Sequence, residues 1–153
     1  MNKCKFELTV QEAEALAKAL ETNTNLLQLY ASGHELDPSS ISSISQAIGR
    51  NRTLRVLCIG NSQFGDLGVK LLLEGISSNT SLQELDLECK NVSYEGCKAI
   101  SKALSDGLAI ERLLLARNVL GDEGAFFLSF FLAFFLSLRS CDFCKCLLPI
   151  LDI

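Results

Sequence analysis

Ile110-Glu111-Arg112-Leu113-Leu114-Leu115-Ala116-Arg117-Asn118-Val119-Leu120-Gly121-Asp122-Glu123-Gly124-Ala125 carries two periodicities in one short stretch. Ile110, Leu113 and Leu115 give an apolar pattern suited to a strand with one buried face. From Ala125 on, Leu128 and Leu132 recur at helical spacing. Stepping back by 28 residues returns the same pattern at Leu82/Leu85/Leu87, again at Leu54/Leu57/Ile59, and again at Leu26/Leu29/Ala31. The L-x-x-L-x-L signature therefore occurs four times in phase. Ten residues after each opening residue stands Leu36, Phe64, Val92 or Leu120, and fourteen after it Ser40, Gly68, Gly96 or Gly124.

The second half of each unit repeats as faithfully. Ile41/Ile44/Ile48, Val69/Leu72/Ile76, Cys97/Ile100/Leu104 and Ala125/Leu128/Leu132 each place three apolar residues on one helical face. Asn23, Asn51, Asn79 and Gly107 stand where each helix must end, and these residue types suit a left-handed turn into the next strand. A helix over Val10 to Leu20, with Leu16, Ala19 and Leu20 in the same phase, precedes the first strand. The expected organisation is a single domain over 1–153 built as a partial array. It comprises a partial repeat 1–25, repeats 26–53, 54–81, 82–109 and 110–137, and a degenerate fifth strand unit 138–153.

This pattern resembles the leucine-rich repeats of the ribonuclease-inhibitor type, a 28-residue variety also found in NOD-like receptors, tropomodulin-like proteins and the Ran GTPase-activating protein. The stretch from Ile110 to Ala125 matches that subclass almost residue for residue, and the similarity covers about residues 6 to 135. It implies an α/β fold: a right-handed solenoid, a horseshoe arc with parallel strands on the concave face and helices on the convex face. The family's asparagine eight residues past the opener is Asn118 in the last unit but His34, Ser62 and Lys90 in the others. A ladder of side chains built on that position is therefore not expected in the first three repeats.

Composition bounds the function. The 153 residues are 48% apolar and 21% charged, enough for a core, with a mean hydropathy of +0.27. A net charge of −4 supplies no basic field for nucleic acid or an anionic membrane. The N-terminus has no apolar run of a secretory leader, so the seven cysteines read as reduced thiols of a cytoplasmic protein. No glycine loop leads into Lys-Ser/Thr, and one histidine, His34, cannot build a triad, so no enzyme and no cofactor are expected. Cys141, Cys144 and Cys146 supply three thiols where a tetrahedral zinc site wants four ligands; in the repeat register they fall on leucine and asparagine places or beside them.

Two surfaces stand out. Between the buried leucines, Tyr30, Cys58, Asp86 and Leu114 form the central concave row. Glu84, Asp86 and Glu88 alternate on the third strand, Arg112 lies level with Glu84, and Arg55 and Arg117 lie in neighbouring units. These residues could serve a protein partner with a basic segment, or form a solvated face whose charges pair with one another. The second surface lies on the last helix. Phe126, Phe127, Phe130 and Phe134 occupy positions that are mostly polar in the earlier units. At half of the ~150–250 Å² an aromatic ring can bury, they make a patch of roughly 300–500 Å². Either a partner, a second copy or a membrane interface covers it, or the tail is not natively folded. The 14-residue apolar run spans about 21 Å as a helix against a ~30 Å hydrocarbon core, too short to cross. The expected function is that of a protein–protein interaction module or scaffold. The alternatives are a small-GTPase regulator resembling the Ran GTPase-activating protein, for which no residue here matches a functional motif, and peripheral membrane attachment through the Phe-rich helix.

Overall fold

The computed structural model describes residues 8–134 and 140–142, with side chains described as far as residue 128. Strands and helices alternate: α1 (Val10–Thr22), β1 (Gln28–Ser32), α2 (Pro38–Arg50), β2 (Val56–Gly60), α3 (Gly65–Ile76), β3 (Glu84–Asp86), α4 (Tyr94–Ser105), β4 (Arg112–Leu114), α5 (Gly121–Phe134) and β5 (Ser140–Asp142). The strands form one parallel sheet in sequence order. Its register preserves the 28-residue repeat: Leu29 lies opposite Leu57, Leu57 opposite Leu85, Leu85 opposite Leu113, and Leu113 opposite Cys141. Strands line the concave side and helices the convex side of a leucine-rich-repeat solenoid.

Between sheet and helices runs one continuous core. The strand leucines Leu57, Leu85 and Leu113 meet the helix residues Ile44, Ile48, Val69, Leu72, Ile76, Cys97, Ile100 and Leu128, all fully buried. Each such side chain contributes about 1.5–3 kcal/mol when removed from water, so the stack is held mainly by these residues. In α1 the core phase is Ala13, Ala17 and Leu20; Leu16 is half-buried and Ala19 faces outward, which corrects the phase expected from Leu16, Ala19 and Leu20.

Helix starts are fixed locally. Thr9 caps α1 through a reciprocal box: its hydroxyl accepts the Glu12 N–H, and the Glu12 carboxylate accepts the Thr9 N–H at 2.8 Å. Asp37 caps α2 ahead of Pro38 by accepting the N–H groups of Ser39 and Ser40, and Ser93 caps α4 by accepting that of Glu95.

Helix ends are built differently from the expected left-handed turns. Asn23 and Asn51 have extended backbones, with φ of −76° and −65°. Their side chains do the work. The Asn51 amide nitrogen donates to the carbonyls of Leu20 (2.8 Å) and Asn23 (3.0 Å), and its oxygen accepts the N–H groups of Thr53 and Leu54. Asn79 repeats the arrangement one unit on, donating to Ile48 and Asn51 and accepting from Ser81 and Leu82. Asn79 and Asn51 are buried, so each satisfies backbone groups that water cannot reach. Among the described residues at this position, Gly107 alone, at φ +101°, takes the left-handed path.

Candidate functional site

The concave face is set by the sheet register. Tyr30, Cys58, Asp86 and Leu114 stand in one row, as the repeat implies, and the row continues to Asp142. Gln28, Val56, Glu84 and Arg112 form the flanking row, leading to Ser140. Parallel strands alternate their side chains between the core and this face, so the row members project together on the concave side.

Their environments differ. Tyr30 is 63% exposed on the first strand and is the largest aromatic surface of the face. Cys58 holds its place in the row but is buried. Burial first, and then its hydrogen bond with Asp86, push its thiol up from the ordinary value, while the positive charge of Lys90 pulls the other way. Glu84 and Arg112 form a salt bridge at 2.8 Å, with the carboxylate far less exposed than the guanidinium. Glu88 does not continue the acidic alternation: β3 ends at Asp86, and the Glu88 N–H turns back to donate to the Asp86 carboxylate at 2.8 Å. The strand breaks there because the chain enters a loop in which Cys89 and Asn91 are left-handed. Arg55 is half-buried and donates to the Ser81 carbonyl at 2.8 Å, which draws it to the start of the next unit. Arg117 is exposed in the left-handed loop after β4. The structure thus brings Tyr30, Asp86, Glu84 and Arg112 onto two adjacent rows and sets Arg55, Glu88 and Arg117 at their margins.

Lys90, at the asparagine place of its unit, carries a structural role that its residue type does not display in the sequence. Its ammonium is buried and donates to the Gly60 carbonyl at 2.8 Å, bridging two units from the position where the repeat type keeps an asparagine. In the last unit Asn118 is present and donates to the carbonyls of Leu87 and Leu115, while its oxygen accepts the N–H groups of Lys90 and Val92. Departure from the pattern at that one position was the signal available.

On the convex side, Phe126 is 72% exposed, but Phe127 is half-buried. Its ring meets Tyr94 edge-on with centroids 5.8 Å apart, and Lys98 lies over the same Tyr94 ring. The expectation of a uniformly outward Phe face is corrected at Phe127, because that position turns toward the preceding helix. Phe130 and Phe134 lie on α5 with side chains outside the described residues, as do the side chains of Cys141, Cys144 and Cys146. Among the described residues Cys58 and Cys89 are free thiols, and no helix is long and apolar enough to cross a membrane.

Comparison with known proteins agrees with this geometry. A family model described as leucine-rich repeat matches residues 50–73 and 78–101. NACHT, LRR and PYD domains-containing protein 14 of Mus musculus is 32% identical over 90% of the chain, and the ribonuclease inhibitor of Sus scrofa is 34% identical over 71%. The chain spans only 15% and 24% of the length of these two relatives. A protein phosphatase 1 regulatory subunit 37 homolog of Caenorhabditis briggsae is 32% identical over 62% of the chain and is matched over 11% of its own length. Among solved structures, Leiomodin-1 Actin-Binding Site 2 superposes with a TM-score of 0.71 over 87% of this chain and 78% of its own, at 14% identity, which speaks to the fold. Repeat period, sheet register and relatives agree that the chain belongs to the leucine-rich-repeat proteins of the ribonuclease-inhibitor type.

Proposed function

We propose that the chain is a protein-interaction module whose concave strand face receives a protein partner carrying a basic segment, in a cytoplasmic setting. Leucine-rich-repeat proteins generally mediate protein–protein interaction, and the relatives include a ribonuclease inhibitor and a phosphatase regulatory subunit homolog. The observation that carries the reading is the row Tyr30–Cys58–Asp86–Leu114, in which an exposed phenol ring shares one rigid surface with a carboxylate. Tyr30 supplies apolar area with a polar tip, the combination favoured at binding centres. Asp86 and Glu88 supply the acidity, since Arg112 already neutralises Glu84. Arg55 and Arg117 border the face and repel a basic segment that docks out of register.

The test uses Lys/Arg-rich peptides titrated into the chain by calorimetry, beside a variant with Glu84, Asp86 and Glu88 changed to Lys and beside Tyr30→Ala. Exposed charge pairs are each worth under ~1 kcal/mol, so the triple reversal is expected to weaken binding by about tenfold or more, and added salt should do the same. Unchanged affinity in a variant that keeps its far-ultraviolet spectrum would remove the concave-face reading.

A further inference from the structure

The helix layer is packed unevenly along the stack. Where α2 meets α3, Ser45, Gly49 and Gly75 keep the two helices close, and a Cβ on either glycine would collide with the facing helix. The equivalent places one unit on are Leu73 and Ser77 of α3 and Ala103 of α4. Helix separation follows the size of the side chains at the contact, so α3 and α4 meet less closely. A cleft of about 900 Å³ opens there along α4. Leu73, Ala99 and Ala103 give it an apolar floor, Lys70 and Glu74 of α3 stand on one wall, and Phe127 of α5 bounds the other. From Glu95 to Asp106 it follows α4 for about three turns, or roughly 16 Å.

Shape, charge and one buried hydroxyl narrow what fits. Length and volume together make the cleft about 7–8 Å wide, which seats one side of a helix about 10–12 Å across. On α4 the charges are matched: Lys98 pairs with Glu95 at 3.1 Å and Lys102 with Asp106 at 2.5 Å. On the α3 wall, Lys70 and Glu74 are exposed one helical turn apart, and neither forms an ion pair among the described residues. Lysine ahead of glutamate is the weaker order for a pair within one helix, so both charges stay open to a partner. An acid and a base one turn apart on a second helix would answer them together. Ser101 also lines the cleft; it is 2% exposed, and its hydroxyl has no hydrogen-bond partner among the described residues. Its counterpart Ser45 donates to the carbonyls of Ile41 and Leu71. A buried hydroxyl left unpaired is costly, so the occupant that fits brings one polar group to an otherwise apolar contact.

We propose that the cleft along α4 is a second docking surface, which takes an amphipathic helix of a protein partner. The helix is about three turns long, with a face of small apolar residues, one polar side chain opposite Ser101, and an acid and a base on the flank that meets Lys70 and Glu74. Those two charges fix the direction in which it lies. The surface is on the convex side and is independent of what the concave face binds.

Two stapled helical peptides test it by calorimetry with the full chain. Both carry an alanine and leucine face with a central asparagine; on one flank the first has Glu then Lys at i and i+4, and the second has the two exchanged. One of them is expected to bind about threefold to tenfold tighter than the other, as two exposed charge pairs allow. Reversing the wall, Lys70→Glu with Glu74→Lys, is expected to invert that preference, and Ala99→Phe to abolish both bindings with an unchanged far-ultraviolet spectrum. Ser101→Ala separates docking from a merely structural role. It is expected to raise the melting temperature by about 2–4 °C, by removing an unpaired hydroxyl, yet to weaken the asparagine peptide severalfold while sparing one with alanine at that place. No saturable binding by either peptide, a preference that survives the reversed wall, binding untouched by Ala99→Phe, or a cleft that takes dodecanoate and neither peptide would overturn the proposal.

Discussion

At the scale of single residues, buried amides matter more to this chain than its charges. Removing the Asn79 side chain leaves the Ser81 and Leu82 N–H groups without their acceptor inside the stack and takes one donor each from the Ile48 and Asn51 carbonyls. Asn79→Ala is expected to cost about 2–4 kcal/mol in urea unfolding, and Asn23→Ala, at an exposed position, under ~1 kcal/mol. Equal losses would mean that the inter-unit bonds add nothing to the turn itself. The sequence displayed the three asparagines at their 28-residue spacing but not their role. Asparagine serves left-handed turns and extended, side-chain-bonded caps alike, and only the neighbouring unit's carbonyls distinguish the two. Lys90 was hidden for the same reason, since a lysine in a loop reads as solvated until a carbonyl 30 positions away claims it. Asp37 gives a prediction in pH. Hydrogen bonds from the Ser39 and Ser40 hydroxyls hold its carboxyl well below the ordinary aspartate value of 3.8. A depressed folded value means that the cap's contribution is present above the unfolded value and is lost as pH falls toward the folded one. Asp37→Ala should therefore cost about 1 kcal/mol at neutral pH, and the gap to the parent should close in strong acid. A gap that does not depend on pH would show that the carboxylate's charge is irrelevant to the cap.

Between elements, the contact of α2 with α3 shows packing overruling propensity. A glycine inside a helix costs up to ~1 kcal/mol relative to alanine, so Gly75→Ala would stabilise an isolated α3. In the fold, a Cβ at Gly75 would collide with the Ser45 side chain and come within 2.7 Å of its backbone carbon, and one at Gly49 would strike the Gly75 carbonyl oxygen. Gly75→Ala is expected to lower stability by about 1–3 kcal/mol in thermal unfolding, and a gain would mean that α2 and α3 approach less closely than described. The sequence conveyed the elements themselves well, because a strand period and a helix period repeated in register leave few alternatives. It conveyed their rotation less well. The α1 phase was misread because small alanines on both sides of that helix blur the apolar stripe. Phe127 was misread because its partner Tyr94 comes from another repeat unit, beyond the reach of a count along one helix. Thiol chemistry adds a prediction at the same scale. Cys58 is buried within the sheet, with its thiol value raised, whereas Cys89 is exposed in the loop after β3. At mildly alkaline pH Cys89 should react with a maleimide well before Cys58, and a reversed order in mass-mapped peptides would contradict the placement of Cys58.

Across the whole molecule, the fold is a linear stack in which each unit touches only its neighbours, so its continuous core is held as a chain of nearest-neighbour interfaces. The pattern of burial shows where that chain is weakest among the described residues. Strands β2, β3 and β4 have a neighbour on each side, whereas β1 has one, and its apolar residues remain half-exposed. Opening α1 and β1 costs a single interface; opening β2 or α3 costs two. Hydrogen exchange in dilute solution should therefore show protection that rises from α1 and β1 to β2, α3 and β3, with the first pair exchanging through local opening and the centre through global unfolding. Gly75→Ala should sharpen the gradient, because loosening the contact of α2 with α3 lets the first two units open as a block while α4 keeps its packing on α3. Uniform protection across α1 and α3, in the parent and in the variant alike, would mean that the described units unfold as one cooperative body and that the nearest-neighbour account of this solenoid is wrong.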